Sequence, residues 1–206
     1  MATQDIPADT TLFTIPRKSI INSETSEIAR RLPQVFDLSA VLEDEGEDEE
    51  AGLDSWGCLI LILIYEFLRG DASPWKPYLD VLPQSFDTPM FWSEDEVREL
   101  QASPLVGKIG KVEAEEMFRN KIIPVVRKHQ DLFAGAESMA EEELVALAHR
   151  VGSSIMAYAF DLEAEGEDEE EEEEWVEDRE GRSLMGMVPM ADILNADAEF
   201  NVGSHL

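Results

Sequence analysis

Cysteine is nearly missing from this chain, and Cys58 is the single one. That excludes an intramolecular disulfide and any cysteine-rich zinc site. Cys58 lies inside an apolar run, which marks it as a buried, inert thiol. Such sparing use of cysteine suits the cytosol or nucleus, and the opening residues MATQDIPADT have neither the basic nor the apolar region of a secretory signal. Long hydrophobic stretches are missing too. The longest unbroken one, Cys58 to Tyr65, falls far short of the roughly 20 residues that span a bilayer, so no membrane role is expected. The three histidines, His129, His149 and His205, show no metal-ligand spacing, and no metal site is expected. His129 and His149 fall in helical stretches and are expected to be structural or surface groups. There is no phosphate-binding glycine pattern, since Gly107 to Lys111 (GKIGK) is too short and follows no strand, and no nucleophile elbow.

Basic residues are scarce. Lys and Arg number 16 against 46 Asp and Glu, a formal charge of −30. The excess is local, with 7 acids in residues 43–50 and 14 in residues 161–180. Outside those runs 25 acids face 15 bases. Phosphates require cations to neutralise them, so direct nucleic-acid binding is not expected. A basic protein partner fits better. A solvating acidic loop with no partner explains either run equally well.

What is present is mostly helical. Thr11 to Ile15 is β-prone and followed by Pro16, so a strand is expected there. Ile28, Leu32 and Phe36 recur at a spacing of four, predicting a short helix that stops near Leu32 because of Pro33. Asp54 is a natural cap for a helix that runs to Arg69 with Gly70 as its stop. Asp71 to Trp92 is rich in proline and aromatics and is expected to be an ordered irregular connection. Ser93 with Glu96 forms a capping box. A longer helix over about 111–130 should kink at Pro124. Ser138 with Glu141 suggests a second capping box. The amphipathic helix it opens carries Leu144, Leu147, Val151, Ile155 and Tyr158 on one stripe. The apolar thread resumes at Leu184 to Leu194. The expected core comprises Phe13, Ile15, Leu59, Ile62, Leu63, Phe67, Trp75, Tyr78, Leu82, Trp92, Leu147, Ile155 and Val188. Residues 162–180 are expected to be disordered or a mobile loop, because like charges repel and Trp175 and Val176 offer little surface to bury.

Three blocks carry a resemblance. They are DIPADTTLFTIPR (5–17), SPWKPYLDVLPQSFDTPMFW (73–92), and HRVGSSIMAYAF (149–160) continued across the acidic insert by MVPMADILNAD (187–197). Together they resemble the SET-domain protein lysine methyltransferases of the ribosomal-protein and Rubisco large-subunit branch, and within it the fungal ribosomal group most of all. The second block is similar to that branch's S-x-W-x-PY-L-x-x-LP pattern. The last is similar to its AYSF helix and DxLNH motif.

The resemblance implies an α+β chain, mostly helical here: a partial SET β-fold interrupted by a large helical insertion. The implied divisions are SET strands at 5–24, the helical insertion at 25–140, SET core at 141–201 with an acidic insert at 162–180, and a tail at 202–206 unlike the family. It also implies S-adenosyl-L-methionine as cofactor, a basic protein such as a ribosomal protein as substrate, and a monomer. Asn195 stands at the family's cofactor-contacting Asn. Ala196 replaces the His that follows it, so only a backbone contact would survive there. Asp192 opens the same motif, and Tyr158 stands at an aromatic position lining the cofactor pocket. Trp56 resembles a tryptophan placed near the substrate, and plain core packing explains Trp56 and Tyr158 equally well. The family's glycine-rich cofactor turn would lie just before Asp5, and its catalytic tyrosine would lie beyond Leu206. No catalytic residue is therefore assigned, and the chain as written is expected to be inactive. A second reading, from composition alone, is a non-catalytic acidic protein that binds basic partners.

Overall fold

The centre of the molecule is the apolar run around Cys58. In the computed structural model, which describes residues 5–7, 10–36, 53–101, 103–162 and 184–193, it forms helix α2, Ser55–Arg69. Asp54 caps it, its Oδ1 accepting the Gly57 N–H at 2.7 Å. Gly70 ends it at φ 52°, a conformation that a side chain would disfavour. Every residue from Gly57 to Glu66 is buried, because neighbours surround α2 on all sides. A helix that is apolar all round has to be enclosed in this way.

Glu66 is the one charged side chain in that buried stretch. Burying a lone carboxylate is costly, and here it is compensated. The Ser73 hydroxyl donates to Glu66 Oε2 at 2.6 Å, and the Arg69 guanidinium lies at 3.3 Å. Arg69 also reaches Glu27 at 3.4 Å, which ties α2 to helix α1, Glu27–Arg31. Helix α1 stops at Leu32 and a single 3-10 turn over Pro33–Val35 follows, as Pro33 dictates.

Beyond Gly70 come the one-turn helix α3, Lys76–Leu79, and helix α4, Glu94–Glu99. The Ser93–Glu96 capping box forms in full. Phe86 stacks on Phe91 with centroids 5.6 Å apart, and the Trp75 indole donates to the Ser19 carbonyl at 3.0 Å. The connection is thus ordered, as expected, with Trp75, Phe86 and Phe91 half-buried.

The long helix predicted over 111–130 is broken into α5, Lys111–Met117, a π-helical turn over Phe118–Ile122, and α6, Ile123–Lys128. Pro124 has no N–H, and its ring presses on the preceding turn. The widened turn just upstream absorbs both effects, and it keeps Phe118 and Ile122 buried. Helix α7, Glu141–Tyr158, packs along α2. Its start corrects the expected Ser138 box. The Ser138 hydroxyl is spent on the Gly135 carbonyl at 2.9 Å, and the reciprocal half of a cap is made by Glu143, which accepts the Ala140 N–H at 2.7 Å.

Strand β1, Ala159–Leu162, pairs antiparallel with β2, Leu184–Met187. On the other edge of β2, Ile21 exchanges two backbone hydrogen bonds with Met187, at 2.9 and 3.0 Å. The expected strand at Thr11–Ile15 does not form. Phe13 is 41% exposed, contrary to its expected place in the core, and Leu12 is 46% exposed. β-prone side chains become a strand only where the backbone finds a partner, and that partner is met later, at Ile21, after a 3-10 turn over Arg17–Ser19. Leu162 also departs from expectation, being a buried strand end paired with Leu184 rather than part of a loop. The remainder of the acidic insert, residues 163–180, lies outside the described residues, as does the tail at 202–206.

Of the other expected core residues, Leu59, Ile62, Leu63, Leu82, Ile155 and Val188 are buried. Phe67, Trp75, Tyr78 and Leu147 are half-buried against the main core, and Ile15 against a small second cluster of Ile20, Leu162, Val188 and Ala191. Trp92 is half-buried, its indole donating to Asp87 at 2.9 Å. The described chain is thus mostly helical with a two-stranded sheet, and no described helix is long and apolar enough to cross a membrane.

Candidate functional site

The motif residues that are described meet below the end of β2. After Met187 the chain turns through Val188, fully buried, and Met190, which holds φ 80°. Positive φ in a residue with a side chain costs on the order of 1 kcal/mol or more and persists where the surroundings impose it. The Ala191 N–H donates to the Val188 carbonyl at 3.1 Å, and a 3-10 turn, Ala191–Ile193, carries Asp192. Tyr78, on α3, donates its hydroxyl to Asp192 Oδ2 at 2.7 Å. Burial first, then this bond to the carboxylate, push the Tyr78 phenol far above its ordinary value, with smaller contributions from the Asp192 charge and from Tyr158. Tyr158 stands half-buried at the C-terminus of α7, packed against the main core.

Trp56 sits elsewhere on the α2–α7 seam. Its ring lies 6.1 Å from Phe118, and its Cζ2 lies 3.2 Å from where a Cβ on Gly152 would stand. Gly152 precedes Tyr158 by six residues, roughly 9 Å along the helix. The Trp56 indole N–H is buried without a hydrogen-bond partner among the described residues. The structure thus joins Asp192 to Tyr78 and sets Trp56 against Phe118 and Gly152. Asn195 and Ala196 lie outside the described residues.

Tyr78 is the functional candidate that sequence reasoning missed, placing it only in the core. A buried phenol needs an acceptor for its hydroxyl, which was a usable signal. Its partner 114 residues away was not readable from spacing.

Phe118 also meets His149, which is buried in edge-type contact with Phe91 and Phe118. Its Nε2 is 3.4 Å from Glu115. Desolvation lowers its pKa, against the opposing pull of Glu115 and with a smaller push from Lys111. Cys58 is buried, its thiol pushed up to about 12 by desolvation and then by Asp54. At neutral pH that leaves no thiolate to act as a nucleophile. A separate apolar groove of about 640 Å³ is lined by Phe67, Phe86, Phe91, Leu147 and Arg150 among others. The Arg150 guanidinium stacks 4.6 Å over Phe67 there. None of the expected site residues lines it.

No family model matches the chain. Curated relatives do. It is 34% identical over 204 residues to ribosomal lysine N-methyltransferase 4 of Saccharomyces cerevisiae, covering 96% of this chain and 38% of that protein. It is 30% identical over 208 residues to the N-lysine methyltransferase setd6 of Danio rerio, covering 98% of this chain and 40% of that protein. It is 33% identical over 132 residues to the chloroplastic ribulose-1,5-bisphosphate carboxylase/oxygenase large subunit N-methyltransferase of Nicotiana tabacum, covering 59% of this chain and 24% of that protein. The chain spans about two-fifths of the length of the first two. Across nearly all its residues it is similar to part of two protein-lysine N-methyltransferases.

Proposed function

We propose that the chain forms part of a SET-type protein-lysine N-methyltransferase that uses S-adenosyl-L-methionine. The observation that carries this is the hydrogen bond between Tyr78 and Asp192 at 2.7 Å. It joins the second block of the resemblance, 73–92, to the 187–197 part of the third. When bound, the cofactor would supply a methyl group on an electrophilic sulfonium. The described residues fit such a ligand in kind. Tyr158 offers a half-buried aromatic surface, and Asp192 offers a carboxylate already held in place, suited to a ligand that has an aromatic base and positive charge. The protein's share of the work would be to orient the target amine and to exclude water. Burial of a lysine ammonium lowers its pKa toward the reactive neutral form.

The substrate class we propose is a basic protein, such as a ribosomal protein, met in the nucleus or cytoplasm, because the net charge of −30 favours it. The domain divisions of 5–24, 25–140 and 141–201 belong to the same reading, as does a monomeric state. The test is calorimetry of the chain with S-adenosylmethionine, with binding of basic ribosomal protein measured alongside. Heat on titration supports the reading. Its absence together with binding of basic protein would favour the second reading, an acidic interaction protein, to which the same charge equally points.

A further inference from the structure

The geometry points to Tyr78 as a positioning residue for the cofactor site, fixing Asp192 and the turn that carries it. This rests on the methyltransferase reading above.

The one-turn helix α3 holds both segments that flank β2. Three residues before Tyr78, the Trp75 indole grips the Ser19 carbonyl at 3.0 Å. Ser19 leads through Ile20 to Ile21, which is bonded twice to Met187 in β2. On the other side Tyr78 grips Asp192, just past the end of β2. The ties close a circuit: α3 to Ser19, Ile21 to Met187, β2 through the turn to Asp192, and Asp192 back to α3. Leu79 and Leu82 are buried beside it, so α3 is a rigid anchor rather than a loose strap. The turn it holds contains Met190 at φ 80°, a conformation that needs outside support. Among the described residues, Tyr78 makes the side-chain hydrogen bond that this turn receives. A hydroxyl donated to a carboxylate is among the stronger neutral-to-charged contacts. It is also directional, which suits positioning better than apolar packing would.

The experiment compares the full chain with Tyr78→Phe, Asp192→Ala and the double variant. Tyr78→Phe keeps the ring and removes the hydroxyl alone. Two readouts are taken. Without ligand, amide hydrogen exchange is expected to quicken at 187–193 in Tyr78→Phe and to stay unchanged in α2. With S-adenosylmethionine, the Kd by calorimetry is expected to rise about tenfold, because binding must then order a turn that Tyr78 no longer holds ready. In the Asp192→Ala background the same substitution is expected to add nothing.

Unchanged exchange at 187–193 would overturn the inference. So would an unchanged Kd, or an equal loss of affinity in both backgrounds, since Tyr78 would then act by another route. If Tyr78→Phe unfolds the chain, Asp192→Asn must reproduce the exchange and Kd changes for the inference to stand. If the unmodified chain gives no heat with S-adenosylmethionine, the methyltransferase reading fails, and the positioning role falls with it even where exchange shows a clamp.

Discussion

At the scale of single residues, the most informative groups are those whose surroundings leave them little freedom. Gly186 in β2 is one. A Cβ there would stand 2.6 Å from Leu162 Cδ1 and 3.1 Å from Ile20 Cγ2, so Gly186→Ala should cost about 1–3 kcal/mol through overpacking, read from urea denaturation. His149 is another. It faces Glu115 and Lys111 from α5, Phe118 from the π-turn and Phe91 from the connection before α4. Because burial depresses its pKa in the folded state, the unfolded chain takes up the proton first as pH falls. Its contribution is therefore complete above the unfolded value of about 6.5 and is lost as pH drops through the lower folded value. The urea midpoint of the unmodified protein should fall more steeply between about pH 7.5 and 5 than that of His149→Gln. Parallel curves would show that His149 does not carry this dependence. Carboxylates titrate in both proteins, and the difference between the curves isolates the imidazole.

At the scale of elements, helix ends explain which expectations held. Helix α2 was legible because Asp54 and Gly70 bracket an unbroken apolar run, and α4 because Ser93 and Glu96 form a complete local device. The start of α7 was misplaced because the Ser138 hydroxyl donates to the Gly135 carbonyl instead of accepting an N–H of the helix. Pro124 marked a disruption, but a π-turn and a kink leave the same trace in sequence. The strands were hardest to place. Thr11–Ile15 has β-prone residues and no strand partner among the described residues, while β2 reads LMGM and is a strand because its neighbours make it one. The site divides the same way. Asp192 came from a local motif, whereas the phenol that holds it lies on another element. The tie at the end of α2 yields a further prediction. Ser73 supplies a 2.6 Å hydrogen bond to the fully buried Glu66, so Ser73→Ala leaves that carboxylate short of a donor. The expected loss is about 1–3 kcal/mol, and it should be smaller when Glu66→Gln is present as well. Equal losses in the two backgrounds by chemical denaturation would break the proposed link.

At the scale of the molecule, one large core around α2 and one small cluster beneath the sheet hold the described chain. The net charge of −30 sits in a body of this kind mainly as two acidic runs. Binding of a basic protein should therefore weaken as salt rises from about 50 to 300 mM, because exposed charges are screened within roughly 10 Å. A salt-independent Kd by fluorescence anisotropy would show that the acidic runs contribute nothing to recognition. The paired strand ends give the second of these runs a particular standing. Leu162 and Leu184 are cross-strand partners, so the two ends of the 21-residue connection between them are fixed side by side. Closing such a loop depends only on the logarithm of its length: doubling it costs about 0.6 kcal/mol. The hairpin is in effect a socket, in which the length and composition of what is plugged in can drift or be replaced by a foreign domain while the register of β1 on β2 stays the same.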